Sequence, residues 1–334
     1  MKIVVDAMGG DHGPSIVVEG ALQAAQEYGI GIVLIGDAEK IKREVSKHNT
    51  SGLSVEIYHT EEVIEMHEPA ASSVRKKRDS SIVKGIGLLK EGKADAFVSA
   101  GNTGAVVCAA TLSLRMLSGI ERPGISVIVP TLRGVSLLID VGANIDPKPL
   151  HLLHYAIMSD AYCRHILRKE NPSVGLLNVG EEEGKGTDFI KETFTLLEKT
   201  KLNFIGNVEG RDIFSGACDI IICDGFVGNA ILKVSEGLAE TISVFLYREL
   251  MRNLATKLGV LLLKSGLKRF KKAMDYSEYG GAPLLGVDGI VIISHGRSNS
   301  KAVKNAVRVA KEEVERKVND RIIEAIQRNL VVSR

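Results

Sequence analysis

The chain has 334 residues, 45% of them hydrophobic and 25% charged, and its 43 Lys+Arg and 41 Asp+Glu leave a formal net charge of +2. So even a balance excludes a protein held to nucleic acid by its overall field, and 4% aromatics with no Trp leave little to stack on nucleobases. The composition is that of a globular chain, not a coiled coil, a disordered tail or a membrane channel.

A repeating pattern runs along the sequence: a short β-branched run, a turn bearing Gly, Asn or Asp, then a segment of helical period. Ile3–Val5 is the first strand. The turn Asp6–Gly13 follows, and Pro14, whose missing N–H costs nothing in a first turn, opens a helix to about Tyr28. The run Met1–Asp6 is too short for a secretory leader, and the apolar stretch Tyr28–Gly36 falls short of a membrane span. Ile32–Ile35 and Val55–Tyr58 are strands separated by a helix to about Lys47, while Val63–Pro69 is ambiguous. A helix over Ser80–Lys90 leads into the strand Ala96–Ser99, and Asn102–Met116 is helical.

Ile125–Val129 and Val135–Ile139 are separated by only five residues, which predicts an antiparallel hairpin. The helix Leu150–Leu167, the strand Val174–Leu177, the helix Thr187–Lys199 and a strand around Phe204 restore the alternation. Asp219–Cys223 feeds a helix from Val227 to about Arg252, with Ile231, Leu238, Ile242, Phe245 and Leu250 on one face. Ile290–Ile293 is the last strand, and Ser298–Arg328 reads as one terminal helix. Such alternation predicts a three-layer α/β/α fold on a mainly parallel sheet. We read it as one unit over 1–334, with a basic, apolar helical excursion at 250–280. Cys108, Cys163, Cys218 and Cys223 form no C-x-x-C pair and read as reduced thiols of a cytoplasmic protein.

Ligands of open α/β sheets bind beyond the carboxyl ends of the strands. Seven polar, Gly-bearing turns stand there, and the expectation is that they share one edge. Ser99-Ala100-Gly101-Asn102-Thr103-Gly104 is the clearest anion site. Its glycines admit a ligand to the backbone, and Asn102 or Thr103 caps a helix whose first N–H groups attract phosphate. A G-x-G-x-x-G after the first strand is absent, and Gly180–Thr187 is one residue short of a phosphate-binding loop and carries three acids. Lys185 within it is either a mobile cation for an anionic substrate or a solvated side chain. His12 and His295 lie in turns at strand ends, whereas His151, His154 and His165 fall at helical spacings that suit a structural role. The acids Asp6, Asp11, Asp140 and Asp224 at strand ends fit Mg²⁺ binding, general-base work, orientation of Arg211 and Arg297, or simple capping. Between Leu250 and Met274 there is no acid. Lys264, Lys268, Arg269 and Lys271 interleave there with residues such as Leu258 and Leu262, a pattern for an anionic membrane surface or a subunit contact. Arg75-Lys76-Lys77-Arg78 is a second cationic run, a solvated face or a dock for an acidic partner.

Taken together, Asp6–Asp11, Ser99–Ala105, Asp140–Asn144, Asn207–Asp212, Asp224–Asn229, Gly280–Gly286 and His295–Ser298 resemble the phosphate acyltransferase family, PlsX, of bacterial phospholipid synthesis. The resemblance spans essentially the whole chain. It implies a fold like the isocitrate and isopropylmalate dehydrogenases and the phosphotransacetylases, a homodimer, and no metal or nucleotide cofactor. The implied reaction moves a long-chain acyl group from acyl carrier protein to inorganic phosphate. The acyl phosphate would then pass to a membrane glycerol-3-phosphate acyltransferase, which places the enzyme in the cytoplasm at the inner face of the membrane. Nucleic acid is not an expected partner. A phosphotransacetylase acting on short-chain acyl-CoA, a nicotinamide-dependent β-decarboxylating dehydrogenase and a membrane-surface scaffold are the rivals. For that chemistry the candidate catalytic residues are Asp6, Asp11, Asn229 and His295. Gly9, Gly10, Ser99, Gly101, Asn102, Thr103, Gly104, Asn144, Lys185, Asn207, Asp224, Gly225 and Arg297 are the candidates for binding phosphate and substrate.

Overall fold

The computed structural model describes residues 1–11, 13–274 and 279–330, apart from the side chains of 254, 255, 269, 271–274 and 330. In chain order the first half runs β1 (Lys2–Asp6), α1 (Gly13–Tyr28), β2 (Gly31–Gly36), α2 (Ala38–Val45), β3 (Val55–His59), α3 (Ala70–Lys76), α4 (Ser81–Lys90), β4 (Ala96–Ser99) and α5 (Thr103–Leu114). The second half runs β5 (Gly124–Thr131), β6 (Gly134–Ile139), α6 (Pro149–His165), β7 (Ser173–Leu177), α7 (Asp188–Glu198), β8 (Asn203–Val208), β9 (Ile220–Ile222), α8 (Gly225–Leu250) and α9 (Leu254–Met274). The chain then adds β10 (Ala282–Leu285), β11 (Ile290–Ile293), α10 (Ser300–Glu315) and α11 (Val318–Leu330).

All eleven strands join one sheet in the order β3-β2-β1-β4-β11-β10-β5-β6-β9-β7-β8. Strands such as Ile3-Val4-Val5 and Ile220-Ile221-Ile222 are apolar at every position because helices cover both sheet faces. The β5–β6 hairpin is antiparallel as expected, in register from Ser126 opposite Ile139 to Thr131 opposite Gly134.

One expectation is overturned. Strand β10 runs antiparallel to both β11 and β5, and β5 runs antiparallel to β6. The strands β1, β2, β3, β4 and β11 therefore point one way, and β6, β9, β7 and β8 the other. The seven loaded turns lie on opposite edges of the sheet, not on one. Two further differences are local. The terminal helix is broken at Lys317, whose φ is +52°, and α3 and β10 are elements without a strong period in the sequence.

From Val234 onward α8 is largely exposed. Leu238, Ile242 and Phe245 are each about half or more accessible, although their spacing is that of a packing face. Helix α9 likewise exposes Leu258, Leu262 and Phe270. Among the described residues no helix is long and apolar enough to cross a membrane.

Candidate functional site

At one edge of the sheet three turns interlock. Asp6 is buried, and its Oδ1 accepts from the Met8 N–H at 3.1 Å while Oδ2 accepts from the Ser99 hydroxyl at 2.7 Å. Ser99 Oγ in turn accepts from the Gly101 N–H at 3.0 Å. Burial pushes the Asp6 carboxyl above the usual carboxylate range. A Cβ on Gly9 would stand 2.5 Å from the Gly101 nitrogen, so the approach of these two turns admits only glycine there. The Asp11 N–H donates to Gly296 O at 2.8 Å, which ties the β1 turn to the turn after β11. Asn102 caps α5 through Ala105 N, and its amide donates to the carbonyls of Glu65, Met66 and Glu68. The start of α5, with Thr103 and Gly104, is thereby fixed as the positive end of a helix.

At the opposite edge a buried carboxylate does similar work. Asp140 Oδ1 accepts the N–H groups of Ile125, Gly142 and Ala143, and Oδ2 accepts that of Asn144 at 2.7 Å. The Asn144 amide donates to Pro123 O and to the Tyr155 hydroxyl, and Asn144 O accepts from Gly225 N. Asp224 caps α8 at Val227 N. A Cβ on Gly225 would meet Asn144 O at 2.5 Å, and one on Gly228 would meet Asp140 O at 1.9 Å. These two close approaches press the first turn of α8 onto the Asp140 turn, and Asn229 then comes to lie beside Gly142.

Between the two edges, across β10 and β5, lies a cleft of about 340 Å³. Its walls are mostly apolar: Ile125, Val127, Ile128 and Val129 of β5 line it together with Leu232 and Ile293. Thr103 and Gly104 of α5 line it, as do Asn229 and a cluster of Lys233, Glu236 and His295. Lys233 Nζ stands 3.1 Å from Glu236 Oε2 and 3.4 Å from His295 Nε2, and His295 Nε2 is 3.6 Å from Glu236 Oε1. The Arg297 N–H donates to His295 Nδ1 at 3.2 Å. The neighbouring His295, with help from Lys233, holds Glu236 below the usual carboxylate range.

Of the residues singled out in the sequence, Thr103, Gly104, Asn229 and His295 line the cleft. Asp6, Gly9, Gly10, Ser99, Gly101 and Asn102 do not line it and belong to the interlocked turns of one edge, and Asn144, Asp224 and Gly225 to those of the other. The Asp6 and Asp140 carboxyls both accept backbone N–H groups, and Asp6 also accepts the Ser99 hydroxyl. Among the described residues no cluster of three or more His, Cys, Asp or Glu gathers into a metal-binding group. Asp11 and Arg297 are exposed beside the His295 turn. Lys185 and Asn207 are not among the residues lining the cleft. Lys185 is exposed in the turn after β7, and Asn207 is near the end of β8, where its amide donates to Glu182 O. Lys264 and Lys268 are exposed on α9, while the side chains of Arg269 and Lys271, like His12, lie outside the described residues. His151 and His154 are buried in α6, as their spacing implied. Two groups escaped the sequence: the β5 wall, and Lys233 with Glu236. A signal was present, because Asn229, Lys233 and Glu236 follow the Asp224 cap at i, i+4 and i+7, one helical face.

Comparison with known proteins adds a family. The model described as "Fatty acid synthesis protein" matches residues 1–321. A phosphate acyltransferase of Geotalea daltonii is 51% identical over 329 residues, 98% of this chain and 95% of the relative. One of Dictyoglomus turgidum is 52% identical over 330 residues, 98% of each. Among solved structures, a phosphotransacetylase from Staphylococcus aureus superposes with a TM-score of 0.61 at 15% identity, covering 94% of each chain. A branched-chain phosphotransacylase from Enterococcus faecalis gives 0.56 at 14%, covering 94% of this chain and 99% of that one. Likeness at such identities is a likeness of fold.

Proposed function

The chain belongs to the fatty acid synthesis protein family, alongside curated phosphate acyltransferases, and from that premise we propose how its cleft performs the reaction. The enzyme is an acyltransferase that moves an acyl group to phosphate. We assign the donor as a long-chain acyl thioester of acyl carrier protein, and the product as an acyl phosphate for phospholipid synthesis. The observation that carries this assignment is the pairing of an apolar wall along β5 with a polar, donor-rich rim in one cleft. An acyl chain is buried by the first and a phosphate is met by the second.

In the reaction a phosphate oxygen attacks the thioester carbonyl, a tetrahedral oxyanion forms, and the C–S bond breaks to release the carrier's thiolate. The start of α5 at Thr103 and Gly104 holds negative charge. The Asn229 carboxamide and neighbouring N–H groups meet the oxyanion, where one donor is worth about 3 kcal/mol. A thiol with a reference pKa near 8.5 leaves with little help, and His295 is placed to protonate it. The rest is positioning, worth up to roughly 7–11 kcal/mol in ideal cases.

The exposed Arg75, Lys76 and Arg78 on and after α3 suit the acidic carrier, because α3 packs on the start of α5, with Ala70 beside Gly104. The exposed face of α8 suits a second copy of the chain, and α9 suits an anionic membrane surface where the product is consumed. A hydroxamate assay without metal tests the assignment, with palmitoyl-carrier protein, palmitoyl-CoA and acetyl-CoA as parallel donors. Phosphate-dependent acyl phosphate from the carrier protein, well above either CoA ester, is the expected result. Product from acetyl-CoA alone would make the enzyme a phosphotransacetylase, and silence with every donor would return the dehydrogenase and scaffold alternatives.

A further inference from the structure

We propose that Lys233 is the cation that receives the attacking phosphate and that Glu236 is its positioning residue, an inference that rests on the acyl-phosphate chemistry above. The cleft is otherwise nearly uncharged. Among the described residues that line it, Lys233 is the one Lys or Arg, and the other ionisable side chains are Glu236, His295 and Tyr279. A phosphate entering such apolar walls is costly unless a cation meets it.

The position of Lys233 is set by the backbone. The close approach of Gly225 and Gly228 to the Asp140 turn fixes where α8 begins, and Lys233 stands one turn beyond Asn229 on the same face. Its ammonium is then held by a shared carboxylate. His295 accepts the Arg297 N–H at Nδ1, and its Nε2 stands 3.4 Å from Lys233 Nζ and 3.6 Å from Glu236 Oε1. Glu236 Oε2 takes Lys233 at 3.1 Å. One carboxylate so stands against both the ammonium and the imidazole.

An ammonium carries three donors. One goes to Glu236 and a second faces His295 Nε2 at 3.4 Å, and with the Lys233 side chain 56% exposed the third is accessible to an anion. Phosphate held there lies in the same cleft as the start of α5 and Asn229, so that its oxygen meets the thioester carbonyl from the polar rim while the chain lies along β5. The ammonium supplies charge-assisted hydrogen bonds and no proton to the balance.

Separate KM values for phosphate and for the acyl donor test this in Lys233→Met, Lys233→Arg and Glu236→Gln. Lys233→Met removes a charge-assisted hydrogen bond to the anion, so it should raise KM for phosphate about tenfold or more and leave KM for the acyl donor within about twofold. Lys233→Arg should recover most of the affinity. Glu236→Gln should weaken phosphate capture less than Lys233→Met and lower kcat. Calorimetric titration of inorganic phosphate into folded Lys233→Arg and Lys233→Gln reads the same interaction if Lys233→Met does not fold. An unchanged KM for phosphate in Lys233→Met, or equal rises for both substrates, overturns the assignment. A wild-type enzyme that forms no acyl phosphate from any donor would instead refute the function on which it rests.

Discussion

Replacing Glu313 with Gln should flatten the fall of stability with pH. Glu313 lies on α10, 2% exposed, with its carboxyl near the buried Tyr162 of α6. Its Oε1 finds no hydrogen-bond partner among the described residues. Burial pushes the carboxyl up to about 8, and the Glu312 charge acts in the same direction. Between the ordinary value of 4.5 and about 8 the folded chain therefore keeps a proton that the unfolded chain has released. Its contribution to stability is fully present below about 4.5 and is lost as pH rises through about 8. Within that window each pH unit costs roughly a factor of ten in the folding equilibrium constant. Buried His154 has the opposite sense. Burial pushes it down to about 4, so its contribution grows with pH from there to 6.5. The difference between wild type and Glu313→Gln cancels His154 and isolates the acid. Urea denaturation from about pH 5 to about pH 8 is the assay. The wild type should lose stability faster than the variant, and the variant should be the more stable of the two at the alkaline end. Parallel curves would mean that Glu313 is ionised in the folded protein and would refute the reasoning.

Gly228→Ala should destabilise by roughly 1–3 kcal/mol or more, because its methyl would meet the backbone oxygen of Asp140, which has no rotamer to yield. Acyl phosphate formation should fall with it as Asn229 and Lys233 withdraw, and urea denaturation within about 0.5 kcal/mol of wild type would contradict the packing. Leu258→Glu combined with Leu262→Glu, both on exposed positions of α9, should abolish flotation with anionic vesicles and spare acyl transfer in solution. Undiminished flotation would reassign that face to a subunit contact.

Most of the sheet was legible because its strands are buried on both faces and so stand out as β-branched runs between polar turns. Ala96–Ser99 and Ile290–Ile293 occur at the expected bounds. Strand β10 was not legible, for it carries Pro283 in the middle of a sheet. The proline is tolerated where β10 changes partner: Ala282 and Pro283 pair with β11, and the ladder to β5 begins only at Leu284. Because β10 went unseen, so did the reversal of strand direction that divides the loaded turns between two edges. The break in the terminal helix was equally silent, since Lys317 adopts a left-handed conformation without a Gly or Pro to announce it. Within the site, residues on strand-end turns were found by their composition. Asp6 and Asp140 stand out on that basis, and in the fold their carboxyls accept buried N–H and hydroxyl donors. Lys233 and Glu236, inside a helix, carried only a spacing.

The late position of β10 and β11 in the chain bears on how the protein is made. Residues 282–293 insert between β4 and β5, strands that leave the ribosome long before them. Until they do, each half of the sheet presents an open hydrogen-bonding edge, the kind of surface that recruits other chains. No earlier fragment can close the cleft, because one wall is built from β5 and another from β11. The β10–β11 hairpin is therefore the closure of a seam: it covers two aggregation-prone edges and completes the cleft.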